Sequence, residues 1–254
     1  MHILRLLFFA IAVLFIRVNL AAVLLPALNF SDIVSGPKTG NTDGAGGLAP
    51  AEHGSIVTIW GNYLGESQGS SKLYFKDSSG MSHEVAHIYY WKNADGKLPG
   101  GPAELSAYHR MQEIAFSIPA SAAEGPGYIY AVVNGVKSIN GETGSSDSLP
   151  FTIRAGNIFF IREGGSDTVG DGSWNNSWAS LEATVAGGNG KIGAGDIIYS
   201  VGVRATHGLS VGKNAQIEGT DEAHIVIAAY PGTQVAISGN DNLYYTIYYY
   251  YSNS

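Results

Sequence analysis

Short apolar runs, each closed by a turn built from Gly, Asn, Pro or Ser, constrain this chain more than any other feature. In the first part the runs are residues 55–60, 72–76, 85–91, 114–118, 128–133 and 149–153. Between them lie Gly61-Asn62, Ser78-Ser-Gly80, Pro99-Gly-Gly-Pro102, Gly125-Pro-Gly127 and Asn134-Gly135. Runs this short suit strands and are too brief for most helices. Ile114, Phe116 and Ile118 alternate with Ala115 and Ser117, the period of a strand with two different faces. Asn134-Gly135 after such a run predicts a tight hairpin. Several strands within about 100 residues predict an immunoglobulin-like sandwich. Residues 35–54 are rich in Gly, Pro and small polar residues, which hold neither a helix nor a long strand.

Composition agrees. Glycine supplies 34 of 254 residues, and charged residues only 14%, against a usual ~25%. The net charge of −7 argues against nucleic acid or an anionic membrane as partner. The absence of cysteine excludes disulfides, thiolate catalysis and Cys-based zinc sites. The chain opens with the basic stretch Met1-His-Ile-Leu-Arg5, then an apolar run over residues 6–16. That pattern fits a secretory signal peptide over residues 1–27 and a secreted or cell-surface location. The alternative is an uncleaved signal-anchor, against which Arg17 stands as a costly charge inside a span.

The second part changes character. A strand-like run at 157–161 leads to the loop Gly164-Gly-Ser-Asp-Thr-Val-Gly-Asp-Gly172. Ser177 is placed to cap a short helix over 178–185, with Leu181 and Val185 on one face. Runs at 197–201, 224–229, 234–237 and 245–248 follow. The spacing of the later ones suits the coil of a repeat architecture. A joint is expected at Arg154-Ala-Gly156, with Gly156 as its flexible element.

Two resemblances rest on these residues. Ser55-Ile-Val-Thr-Ile-Trp-Gly-Asn-Tyr-Leu-Gly65, with Gln112-Glu-Ile-Ala-Phe-Ser-Ile-Pro119 and Leu149-Pro-Phe-Thr-Ile153, resembles IPT/TIG domains over residues 28–154. The insertion at 88–108 departs from that pattern. Trp178-Ala-Ser-Leu181, Ala194-Gly-Asp-Ile-Ile-Tyr199 and Ile225-Val-Ile-Ala-Ala-Tyr-Pro-Gly232 resemble the start of pectin-lyase-like right-handed parallel β-helices over residues 155–254. The expectation is an all-β chain: an immunoglobulin-like sandwich, then the first coils of a parallel β-helix with a short capping helix. The resemblance implies a protein directed at extracellular polysaccharide. It is either a polysaccharide lyase or glycoside hydrolase, or a non-catalytic adhesin or structural protein. Too few coils are present for a stable solenoid, so the chain is expected to be part of a longer protein. Catalytic residues would then lie on later coils, calcium would belong to the full-length protein, and none is assigned here.

His83-Glu-Val-Ala-His87 matches the zinc-protease pattern, which works only on a helix. Its β-rich surroundings predict a strand, where the two imidazoles stand roughly 13 Å apart. Gly188-Asn-Gly-Lys-Ile-Gly193 follows a helix instead of a strand, the reverse of a dinucleotide site, and reads as a loop. Asp167 and Asp171 are the candidate calcium ligands, although Asp and Gly favour such turns without any metal. Tyr89, Tyr90 and Trp91 are the candidate sugar-stacking platform; the competing reading is a strand with one face buried.

Overall fold

The computed structural model describes residues 24–94, 109–181, 192–202, 204–205, 209–212, 219–233, 235–237 and 247–250. Among these there is no α-helix, and no helix long and apolar enough to cross a membrane. The expected signal segment up to residue 23 lies outside the described residues, as do 95–108 of the insertion and Gly188 to Lys191 of the glycine motif.

The first eleven strands are β1 (Ala27–Ser31), β2 (Ser35–Gly36), β3 (His53–Asn62), β4 (Lys72–Lys76), β5 (Ser82–Glu84), β6 (Ile88–Asn93), β7 (Met111–Pro119), β8 (Gly125–Val133), β9 (Val136–Lys137), β10 (Ile139–Asn140) and β11 (Leu149–Ile153). They make two sheets, β10-β1-β3-β7-β6 and β2-β11-β8-β4-β5, with β9 beside β8. All pairings are antiparallel except β1 with β10 and β2 with β11. Leu28, Ile59, Phe75, Phe116, Ile129 and Phe151 belong to the core that both sheets share. On β11 burial alternates along the strand: Leu149, Phe151 and Ile153 are buried, Pro150 and Thr152 exposed. That is the pattern of a sheet with one face on a core. Asn134 and Gly135 both take positive φ (50° and 81°) and join β8 to β9 as the expected hairpin.

The remaining strands are β12 (Ile158–Arg162), β13 (Ile197–Val201), β14 (Arg204–Ala205), β15 (Leu209–Gly212), β16 (Val226–Ala229), β17 (Ala236–Ile237) and β18 (Ile247–Tyr250). Every pairing here is parallel: β12-β13-β16, β14-β17 and β15-β18. β13 is buried at four consecutive positions, as a parallel strand covered on both faces should be. One face, with Ile158, Phe160, Ile197 and Tyr199, joins the core of the antiparallel sheets. The other, with Ile161 and Ile198, packs on Trp178, Leu181 and Ile192.

Two expectations change here. The short capping helix does not start at Trp178: this residue makes a parallel bridge with Ile161, and its N–H donates to the Phe160 carbonyl at 3.1 Å. Ala179 to Leu181 are bends and a turn, and residues 182–185 lie outside the described ones. Asp167 accepts from the N–H groups of Ala179 and Ser180 at 2.7 and 3.0 Å. The joint is also tightly packed. Gly156 lies so close to the Gly195 carbonyl that a Cβ would sit 2.1 Å from it. Beside it Arg154 donates to Ser35 Oγ at 2.9 Å, the His224 carbonyl at 2.9 Å and the Gly195 carbonyl.

Candidate functional site

The free edge of β3 organises the junction between the two parts. β1 covers β3 only from Ile59 to Asn62. Beyond Ile59 the edge groups of β3 need other partners, because an unpaired buried N–H or C=O is costly. Asp32 takes over at Thr58. Its N–H donates to the Thr58 carbonyl at 3.0 Å, and its Oδ1 accepts from the Thr58 N–H at 2.8 Å. Tyr199, from the parallel sheet, takes over at Ile56. Its hydroxyl accepts from the Ile56 N–H and donates to the Ile56 carbonyl, both at 2.7 Å. Burial raises the Tyr199 phenol well above its ordinary pKa, so it remains a neutral donor.

The outward face of β3, β7 and β6 carries two side-chain rows set by register. Phe30, Trp60, Glu113 and Lys92 stand opposite one another across four strands. Phe30 stacks on Trp60 with centroids 5.1 Å apart and planes 19° from parallel. The Trp60 indole N–H donates to Glu113 Oε2 at 3.1 Å, and Lys92 Nζ lies 3.0 Å from Glu113 Oε1. The next row is Thr58, Ala115 and Tyr90. An open cleft of about 300 Å³ borders both rows. Asp32, Thr58, Trp60 and Tyr90 form one side, and β16 with the turn 230–233 forms the other. The packed surroundings of the Asp32 carboxyl push its pKa up to about 6, although the Thr58 and Ile33 N–H groups oppose the shift. Burial, then Glu113, raises Tyr90 to about 12.

A second polar group lies behind the cleft. The Tyr89 hydroxyl donates to Asp43 Oδ2 at 2.5 Å and accepts from Asn41 Nδ2 at 3.1 Å. The Tyr230 hydroxyl also reaches Asp43 Oδ2, at 3.2 Å. His53 is fully buried there, with Nε2 3.8 Å from Asp43 Oδ1 and, among the described residues, no hydrogen bond to either ring nitrogen. Burial lowers the pKa of both His53 and His87, and the Asp43 charge opposes it. Burial first, then Asp43, raises the phenols of Tyr89 and Tyr230.

The residues singled out from sequence are thus dispersed. Tyr89, Tyr90 and Trp91 do not share one platform. Tyr89 is tied into the Asp43 group, and the Trp91 indole is buried and donates to the Leu64 and Gly65 carbonyls at 3.2 Å. Only Tyr90 reaches the cleft. Asp167 closes its loop onto Ala179 and Ser180, and Asp171 accepts from the Ser173 N–H at 2.8 Å. Among the described residues no three His, Cys, Asp or Glu side chains are grouped to hold a metal ion. His83 lies on β5 as expected, and its ring meets Asp77 Oδ2 at 2.8 Å and Ser121 Oγ at 2.9 Å. His87, just before β6, packs edge-on against Tyr89. The two histidines of the motif therefore serve different neighbourhoods. Sequence reading missed Asp32, Phe30 and Trp60 as a group, because only strand register brings them together.

A scan of protein-family models and a search of curated proteins found no match to this chain.

Proposed function

We propose that this chain belongs to a secreted or cell-surface protein directed at extracellular polysaccharide. In this reading residues 28–154 are an IPT/TIG-like immunoglobulin-like sandwich, and residues 155–254 are coils of a right-handed parallel β-helix. One observation carries it. β13, β14 and β15 follow one another along the chain, and each pairs in parallel with β16, β17 and β18 in the same order. One circuit of the chain thus lays one strand on each of three sheets, and the next circuit stacks on it. That is how a solenoid buries its interior. Proteins built this way offer long side-chain ladders suited to polymeric ligands, although fold alone does not give activity.

Binding and cleavage are separable in one experiment. The purified full chain is run through native gels containing soluble polysaccharides, and the same mixtures are assayed for new reducing ends and for the ultraviolet absorbance of unsaturated products. Retardation without product is the expected result, since no catalytic residue is assigned to this chain. Product release by this chain would place catalysis within it and favour the lyase or hydrolase over the adhesin. Absence of retardation on every polysaccharide would overturn the reading.

A further inference from the structure

We propose that the cleft between β3, β6 and β16 binds an uncharged pyranose ring of a polysaccharide, with Trp60 as its stacking face and Asp32 as the acceptor for its hydroxyl groups. The proposal rests on the polysaccharide reading and adds the site and the class of sugar.

Four observations converge on it. The cleft has about 300 Å³, at the small end of the range for a small-molecule site. Its Trp60 ring is held in place on two counts, by Phe30 stacked against it and by the indole N–H bond to Glu113. A ring fixed in advance loses little entropy when an apolar sugar face settles on it. Asp32 is fixed as well. Its Oδ1 accepts from the Ile33 and Thr58 N–H groups, both at 2.8 Å. A carboxylate offers about four acceptor positions, so capacity remains for sugar hydroxyls after these two. Phe30, itself 42% exposed, continues the aromatic surface beyond the cleft along the strand row. A polymer can therefore extend past the ring that is held.

Charge selects the sugar class. Among the described residues no lysine, arginine or histidine lines the cleft. The nearest cation in the row, Lys92, is matched by Glu113 and lies over the Tyr90 ring at 4.8 Å. A uronate carboxylate would face Asp32 with no cation among the described lining residues to offset it, and like charges at such range repel. A neutral ring meets no such cost, and its hydroxyls gain a charged acceptor.

The test is affinity electrophoresis of the full chain in gels of neutral glucan or galactomannan, and of polygalacturonate or alginate. Retardation is expected on a neutral gel and not on the anionic ones. Trp60→Ala should weaken it about tenfold or more. Asp32→Asn and Phe30→Ala should each weaken it about threefold or more. Val169→Ala, at a 74% exposed residue outside the cleft, should leave it unchanged. Far-ultraviolet circular dichroism checks that each variant is folded. Phe30→Ala, at the exposed end of the row, keeps the test decisive if Trp60→Ala unfolds. Retardation on anionic gels alone, or neutral binding untouched by all three cleft variants, overturns this site and leaves the polysaccharide reading standing. Retardation on no gel removes both.

Discussion

The antiparallel and parallel parts of this molecule bury their strands by different rules. In the antiparallel part β4 and β11 alternate buried and open positions, since one face of their sheet meets the core and the other meets solvent. In the parallel part β13 is buried at four of its five positions and β12 at three of five, with a different apolar cluster on each face. The contrast explains an apparent exception. β7 alternates in its side-chain directions, yet residues Glu113 to Pro119 are all buried. Its Ile114, Phe116 and Ile118 face the shared core, and on the other side of the sheet Trp60 from one row and Thr58 and Tyr90 from the next border the cleft with β16. The parallel part needs the antiparallel part as a wall, and the antiparallel part needs Tyr199 to complete the edge of β3.

The hardest blow to this mutual dependence is Tyr199→Ala. It removes a fully buried ring and leaves the Ile56 N–H and C=O without their partner. A loss of about 4 kcal/mol or more is expected in urea denaturation. Tryptophan signals from both parts should shift together. Two separated transitions, with only the parallel part weakened, would break the comparison.

Ile198→Ala sharpens it from the other side. Ile198 lies in the cluster that faces away from the antiparallel sheets. The expected cost is about 2–4 kcal/mol. Hydrogen exchange should quicken first at β12 and β13, and least at β4 and β8. Equal acceleration everywhere would mean that the far cluster supports the whole molecule.

Much of the contrast was legible beforehand. Leu149–Ile153, Lys72–Lys76 and Ile197–Val201 were readable as strands because each is a β-rich run with turn residues at both ends. Asn134-Gly135 carried its hairpin in its own backbone preferences. β1 was hidden, because Ala27 and Leu28 continue an apolar stretch that also reads as the end of a signal segment. The helix expected from Ser177 and Trp178 lost to tertiary context: the indole is buried against Phe159, and the Trp178 backbone pairs with Ile161, which a helical backbone there would forbid. The aromatic triplet at Tyr89 misled because a strand sends neighbours to opposite faces, with a bulge between Ile88 and Tyr90 besides. Phe30, Trp60 and Asp32 become one site only through register between distant strands, which a single sequence does not display.

Arg154→Ala should have a smaller effect, about 1–2 kcal/mol. It removes donors to Ser35, Gly195 and His224, but the side chain is partly exposed and water replaces some of them. The thermal midpoint should fall in a single transition. No change would show that the packing around Gly156 holds the joint without the guanidinium.

The smallest expected effect is in pH. Burial depresses His53 and His87, so the folded chain binds fewer protons than the unfolded one just below the ordinary imidazole value of 6.5. Their contribution is therefore lost as pH falls through that range. Asp32 acts in the opposite sense: with its pKa raised to about 6, its contribution is complete below 3.8 and lost as pH rises through 6. Urea midpoints between pH 7 and 5 should fall less in His53→Gln and more in Asp32→Asn. Parallel curves for all three proteins would contradict both assignments.

The most direct measurement of mutual dependence is the exchange rate of one amide, that of Ile56, in the full chain and in Tyr199→Phe. The Ile56 N–H donates to a hydroxyl that belongs to the other part of the molecule. Loss of that hydroxyl alone should speed its exchange by about tenfold or more, while amides of β4 and β8 change little. An Ile56 amide equally protected in both proteins would show that the edge of β3 is held without the parallel sheet.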